Sequence, residues 1–221
     1  MELNEDKSVQ ASAIFNKYAK AYQDKFMDVG MYGDSLKAFC HLMAKENAQV
    51  LDIACGPGNI TKYLLSQKPG LSVFGIDLAP NMVSLARSNN PGAVFEVMDC
   101  RSIANLTEKF DAVVAAFCLP YLSKNETNKL FFDVNKLLNE GGISYISTME
   151  DDYEKSGYET GSGGDQVFMH YYEGQYLTST LENNGFEIVE IFRKPSILTN
   201  GKEVIDLVII SQKRKTNNDN D

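Results

Sequence analysis

Val50-Leu51-Asp52-Ile53-Ala54-Cys55-Gly56-Pro57-Gly58-Asn59-Ile60-Thr61 reads as an apolar strand that ends in an acid, followed by a glycine turn that opens a helix. Glycine has no Cβ, so Gly56 and Gly58 let the chain bend sharply and let a small molecule lie on main-chain N–H groups at a helix start. The rest of the chain is read outward from that turn.

The 221 residues suit a single domain, and 43% hydrophobic content is enough for a sizeable core. A formal net charge of −9 argues against binding a phosphate backbone, which needs a clustered positive surface. Cys40, Cys55, Cys100 and Cys118 are far apart in sequence, contain no Cys-x-x-Cys pair and read as reduced core thiols. With only His41 and His170 beside them, no metal site is expected. The polar, acidic start is unlike a signal peptide, and the longest apolar run, 112–122, is broken by Pro120 and is too short to span a bilayer. The expectation is a soluble cytoplasmic protein, monomer or homodimer, with no nucleic-acid or membrane partner.

Apolar residues at Ile14, Phe15, Tyr18, Ala19, Tyr22 and Phe26 predict one helix over Ser8 to about Asp28. Ser35 to Glu46 repeats the pattern, with Asp34 or Ser35 as its cap. Strands and helices then alternate: strand 49–53, helix 59–67, strand 71–76, helix 80–88, strands 93–98 and 110–117, helix 125–138, strand 142–148. The stretch 101–106 leaves room only for a turn of helix. Such alternation predicts a mostly parallel α/β sheet with helices on both faces. Asp151 to Asp165, rich in Gly, acid and Tyr, reads as a surface loop and candidate lid. A short strand over Gln166–Tyr172, a helix over Gln175–Asn184 and two β-rich runs at 186–192 and 203–210 follow. Those runs, turning at Thr199-Asn200-Gly201, predict an antiparallel hairpin that closes the sheet edge. The parts are then N-terminal cap helices 1–47, a ligand-binding core 48–149, an insert 150–185, the hairpin 186–211 and a disordered tail 212–221.

Asp77 ends the second strand, 19 residues after Gly58. In a doubly wound sheet that position lies beside the first glycine turn, where a carboxylate accepts both hydroxyls of a ribose. A dinucleotide fingerprint requires a third glycine, and Thr61 stands there instead. Asp52 also sits badly beside a pyrophosphate and suits a ligand carrying a cationic amino group.

These motifs, with Gly75-Ile76-Asp77-Leu78-Ala79-Pro80-Asn81-Met82, Val97-Met98-Asp99-Cys100, Phe110-Asp111-Ala112-Val113-Val114 and Leu137-Leu138-Asn139-Glu140-Gly141-Gly142, resemble in order and spacing the class I S-adenosylmethionine-dependent methyltransferases of the small-molecule type. Phe15, Asn16, Ala19 and Tyr22 resemble the family's cap helix, and Ala54 stands where the family often has glycine. The resemblance implies a Rossmann-like, doubly wound, mostly parallel seven-stranded sheet with a C-terminal antiparallel hairpin. It implies S-adenosyl-L-methionine as donor, S-adenosyl-L-homocysteine as product and a small-molecule acceptor.

The same resemblance places the methionine part over Ala54, Gly56 and Gly58, with Asp52 holding the turn or meeting the amino group. It gives the ribose to Asp77, the adenine surroundings to Leu78 and Met82, the adenine amino group to Asp99, and a ring nitrogen to the Cys100 N–H. Phe117 falls near the sulfonium and acceptor, and Tyr22 and Tyr18 are candidate pocket residues. An acceptor that must lose a proton needs a base. His170 is the first candidate, with Asp151, Asp152, Tyr171 and Tyr172 behind it. Phe117-Cys118-Leu119-Pro120-Tyr121 lacks the Asn/Asp-Pro-Pro-aromatic signature of base-modifying members. The rival readings are a non-catalytic module that binds the same nucleoside and a nicotinamide-dependent dehydrogenase.

Overall fold

The structure, a computed structural model, describes residues 6–161, 163–197, 201 and 203–215. Two helices, α1 (Lys7–Lys17) and α2 (Ala19–Phe26), precede α3 (Gly33–Leu42). The core follows as β1 (Gln49–Ile53), α4 (Asn59–Gln67), β2 (Ser72–Asp77), α5 (Pro80–Asn89), β3 (Val94–Val97), a 3-10 turn over Cys100–Asn105, β4 (Phe110–Ala116), α6 (Lys124–Leu137) and β5 (Leu138–Glu150). After a hairpin of β6 (Gly157–Thr160) and β7 (Gln166–Met169) come α7 (Gly174–Asn183), β8 (Phe186–Ile197) and β9 (Glu203–Lys213).

One seven-stranded sheet runs β3-β2-β1-β4-β5-β9-β8, parallel as far as β5 and antiparallel at β9 and β8. Strand alternation divides its core between two faces. Leu51, Ile53, Val113, Ala115, Leu207 and Ile209 pack with Leu130, Phe131 and Val134 of α6 on one side. On the other, Val50, Ala112, Val114, Tyr145, Val208 and Ile210 meet Leu36 and Phe39 of α3 and Leu64 of α4. The strand order runs outward from β1 to β2 and β3 on one side and to β4 on the other, so the carboxyl ends of the parallel strands β1, β2 and β4 open a shared crevice.

Several boundaries differ from the sequence expectation for identifiable reasons. The first helix breaks at Tyr18 (φ −105°, ψ 16°), because its hydroxyl reaches the Gly163 carbonyl at 3.2 Å and Lys17 pairs with Asp165 at 2.7 Å. These ties draw α1 towards β7 while α2 packs on α5. Neither Asp34 nor Ser35 caps α3: both lie inside its first turn, where the Ser35 hydroxyl donates to the Tyr32 carbonyl at 2.9 Å. That helix stops at Leu42, and the Met43 carbonyl accepts from the Lys68 ammonium at 2.7 Å instead.

The 151–165 segment is not a structureless loop. It contains a 3-10 turn over Tyr153–Lys155 and strand β6, whose Tyr158 packs edge-on against Phe168 of β7. Residues 170–172 fall outside β7. Gln212 and Lys213, expected in the tail, belong to β9, and the Arg214 N–H bonds the Gly185 carbonyl. Thr199 and Asn200 of the expected turn, and tail residues 216–221, lie outside the described residues. Cys100 and Cys118, far apart in sequence, bring their sulfurs within 3.8 Å as free thiols. Among the described residues no helix is long and apolar enough to cross a membrane.

Candidate active site

The turn after β1 owes its shape to three left-handed residues: Ala54 (φ +54°), Gly56 (φ +53°) and Gly58 (φ +77°). The Cys55 N–H bonds the Ile76 carbonyl at 2.9 Å, which sets the turn against the end of β2. There the Asp77 carboxylate accepts the Gly56 N–H at 2.9 Å and the Ala79 N–H at 2.8 Å. Burial raises the Asp77 carboxyl above its ordinary value despite both donors.

Two cavities meet over this turn. The smaller, about 120 Å³, is lined by Asp77, Leu78, Met82, Met98, Asp99 and Cys100. The larger, about 420 Å³, has a floor of Asp52, Tyr145, Ser147 and Asp206 from the strands, walls of Tyr18, Tyr22, Phe26 and Tyr32 from the N-terminal segments, and a roof of Glu159, Val167 and Met169 from the hairpin. Ala54, Gly56, Phe117 and Tyr22 line both. Phe117 is held in the left-handed region (φ +52°) by its N–H, which bonds the Ser147 carbonyl at 3.0 Å and hydroxyl at 3.1 Å. An aromatic residue in that conformation stores strain that persists only where surrounding contacts impose it.

Asp52 is 1% exposed. Its Oδ2 accepts the Thr61 hydroxyl at 2.6 Å, and its Oδ1 has no partner among the described residues. Burial pushes this carboxyl up to about 7. A buried carboxylate oxygen of this kind calls for a cationic donor.

Residues 50–142 match a family model described as a methyltransferase domain. The solved structure of a SAM-dependent methyltransferase from Methanosarcina mazei aligns with a TM-score of 0.69 at 23% identity, over 80% of this chain and 98% of that one. The chain is thus similar over residues 50–142 to methyltransferase domains and shares the fold of a SAM-dependent methyltransferase. A putative methyltransferase 235L of Invertebrate iridescent virus 6 is 35% identical over 105 residues, 48% of this chain and 38% of that protein. Malonyl-[acyl-carrier protein] O-methyltransferase of Acetivibrio thermocellus is 30% identical over 139 residues, 61% of this chain and 47% of that one. The chain therefore spans less than half the length of either relative.

Not every residue expected at the methyltransferase site lies there. Gly58 lines neither cavity: a Cβ on it would fall 2.3 Å from Asn90 Nδ2 and 3.2 Å from Ala86 Cα, so this glycine serves the close approach of α4 to α5. Asp99 does face the smaller cavity, yet Arg101 already occupies its carboxylate with its backbone N–H at 2.8 Å and its guanidinium at 2.6 Å. The hydrogen bonds and charge of Arg101 outweigh partial burial and hold Asp99 below the ordinary carboxylate range.

The base candidates are displaced as well. His170 is buried against Tyr153 and Phe168, with ring centroids at 5.6 and 4.9 Å, and lines neither cavity. Burial and the nearby Lys7 ammonium lower its pKa. Asp151 pairs with Lys155 at 2.7 Å, and Asp152 caps the 3-10 turn by accepting the Glu154 N–H. The Tyr171 hydroxyl donates to Glu159 at 2.9 Å, while Tyr172 bonds Thr127 and the Leu122 carbonyl. None of these four lines a cavity.

Sequence reasoning missed Asp206, Tyr32 and Glu159, which do line the larger cavity. The Tyr32 hydroxyl donates to Asp206 Oδ2 at 2.7 Å, and Asp206 is 3% exposed. A signal was present: Asp206 is the lone acid in the run Val204-Ile205-Asp206-Leu207-Val208-Ile209-Ile210. An acid inside a buried strand marks either a buried pair or a site.

Proposed function

We propose that this chain transfers the methyl group of S-adenosylmethionine directly to a small-molecule acceptor, donor and acceptor meeting where the two cavities join at Gly56 and Phe117. The observation that carries this reading is the pair of acids on either side of the turn. Asp77 stands at the smaller cavity where a ribose would lie, and the unpartnered oxygen of Asp52 stands at the larger one where an α-amino group would lie. Leu78 and Met82 would flank the adenine. Asp99 and the Cys100 N–H would meet its edge, Asp99 using lone pairs that Arg101 leaves open. Tyr22 and Phe117 would enclose the sulfonium.

Displacement at a sulfonium-bound methyl needs alignment of nucleophile, carbon and sulfur and exclusion of water. Positioning of that kind lowers a barrier by roughly 7–11 kcal/mol. The aromatic walls and the hairpin roof supply both alignment and dryness. A cavity complete within one chain suits a monomer or homodimer, and net negative charge with free thiols suits a cytoplasmic protein acting on small molecules rather than nucleic acid.

Calorimetry with S-adenosylmethionine, S-adenosylhomocysteine and NAD tests the donor. Both sulfur ligands are expected to bind and NAD is not. Tight NAD binding with neither sulfur ligand would favour a dehydrogenase. Transfer of labelled methyl from the donor to pooled metabolites tests the reaction, and persistent silence despite normal donor binding would favour a binding module.

A further inference from the structure

We propose that the acceptor is an amine, cationic in solution, carried on a flat apolar body, and that Asp206 receives its ammonium end and takes one proton from it. The freed nitrogen lone pair then forms the bond to the methyl carbon while the carbon–sulfur bond breaks and S-adenosylhomocysteine leaves as the neutral thioether. This deepens the methyl-transfer reading and rests on it. Among the described residues, five carboxylates line the larger cavity, at Asp28, Asp52, Glu159, Asp165 and Asp206, against a single lysine, Lys25. Asp165 is neutralised by Lys17 at the rim, and Lys25 is exposed beside the Phe26 ring. The interior field is therefore negative where the acceptor must sit, which favours a cation and repels an anion.

Asp206 is the acid placed to read that charge. It projects from β9 opposite Met149 of β5, on the sheet face that also bears Tyr145 and Asp52. The Tyr32 hydroxyl donates to it at 2.7 Å, so the carboxylate is fixed in orientation by a neutral group, and no cationic side chain among the described residues pairs with it. Burial raises the Asp206 carboxyl above its ordinary value despite its neutral donors, and a ligand ammonium supplies the charge that would favour its ionised form. The Tyr32 ring stands 5.6 Å from the Phe117 ring, and Tyr22 and Tyr145 complete an aromatic surround. Such walls favour a flat apolar body and attract a cation at their faces. Asp52 does not compete for this role, because the donor's own amino group would take its open oxygen.

The test is equilibrium binding to the full chain saturated with S-adenosylhomocysteine, using three probes with one shared ring: phenethylamine, phenethyl alcohol and hydrocinnamate. The expected order is amine first, alcohol second, carboxylate last, with amine and carboxylate separated by about tenfold or more. Asp206→Asn should weaken phenethylamine by about tenfold or more and leave phenethyl alcohol and S-adenosylhomocysteine within about threefold. Hydrocinnamate binding as well as phenethylamine would overturn the proposal on the unaltered protein, whether or not the variant folds. Undiminished amine binding by a folded Asp206→Asn protein would overturn the assignment to Asp206. Absence of S-adenosylhomocysteine binding would overturn the donor reading and this one with it, an outcome distinct from normal donor binding with the wrong probe order.

Discussion

Asp52→Asn offers a test in which loss of the pH dependence of stability goes together with weaker ligand binding. The wild-type carboxyl is fully enclosed, with one oxygen bonded to Thr61 and one unpartnered, and its pKa rises from an ordinary 3.8 to about 7. A carboxyl whose folded pKa is raised keeps its proton between those two values while the unfolded chain has released it. Stability therefore falls as pH rises through the window from about 4 to 7 and is flat above it. At about 1.4 kcal/mol per pH unit the whole displacement is worth about 4 kcal/mol, of which about 2–3 kcal/mol falls between pH 5 and 8. Asparagine keeps the shape and the bond from Thr61 but does not titrate.

Denaturant unfolding at both pH values should show the variant gaining about 2 kcal/mol on the wild type in going from pH 5 to 8, whichever protein is more stable at pH 5. The offset at pH 5 carries the penalty of a buried amide, about 1–3 kcal/mol, and cancels in the difference. Calorimetry at pH 8 should show S-adenosylhomocysteine weakened by about tenfold or more, with methylthioadenosine, which has no amino group, unchanged. A stability difference independent of pH would refute the burial argument. Equal loss of both ligands would refute the amino-group assignment.

Asp77→Asn should give the complementary pattern, weakening S-adenosylhomocysteine and methylthioadenosine alike by about tenfold, since both carry the ribose. Gly58→Ala places a Cβ 2.3 Å from Asn90 Nδ2 at a left-handed position. It should lower stability by about 2 kcal/mol or more in thermal unfolding, while the folded fraction binds donor normally. His170→Asn should leave kcat/KM within about threefold once an acceptor is found, because the imidazole borders neither cavity; a loss of about a hundredfold would restore it as a base.

The turn and its two flanking acids were legible because these parts are local. Strand, acid, glycine turn and the next strand's acid fall between residues 50 and 77, and parallel pairing of β1 with β2 brings Asp52 level with Gly75, two residues before Asp77. What one glycine does was not legible from spacing alone. Gly56 and Gly58 look equivalent in sequence, but only the three-dimensional approach of α5 shows that Gly58 is needed for helix packing.

The acceptor half depends on contacts between distant segments. Tyr32 and Asp206 are 174 residues apart, and they meet only because β9 inserts between β5 and β8 with Met149 opposite Asp206. A slip of one residue in that register would turn Asp206 to the opposite sheet face. His170 misled in the other direction. A histidine among tyrosines reads as a base or as a group solvated or satisfied by its neighbours, and the chain after β7 folds it inward onto Tyr153.

The larger cavity takes its walls from residues 14–32 and its roof and far side from residues 159–169 and 196–206, so they flank the methyltransferase match at 50–142 on both sides. The N-terminal tract serves both cavities, since Phe15 and Tyr22 line each of them, whereas residues 159–169 and 196–206 line only the larger one. The hairpin can drift or be exchanged without touching the residues that line the smaller cavity beside Asp77. For an engineer, exchanging the hairpin alone is the direct route to reshaping the larger cavity, because it leaves the lining of the smaller one intact.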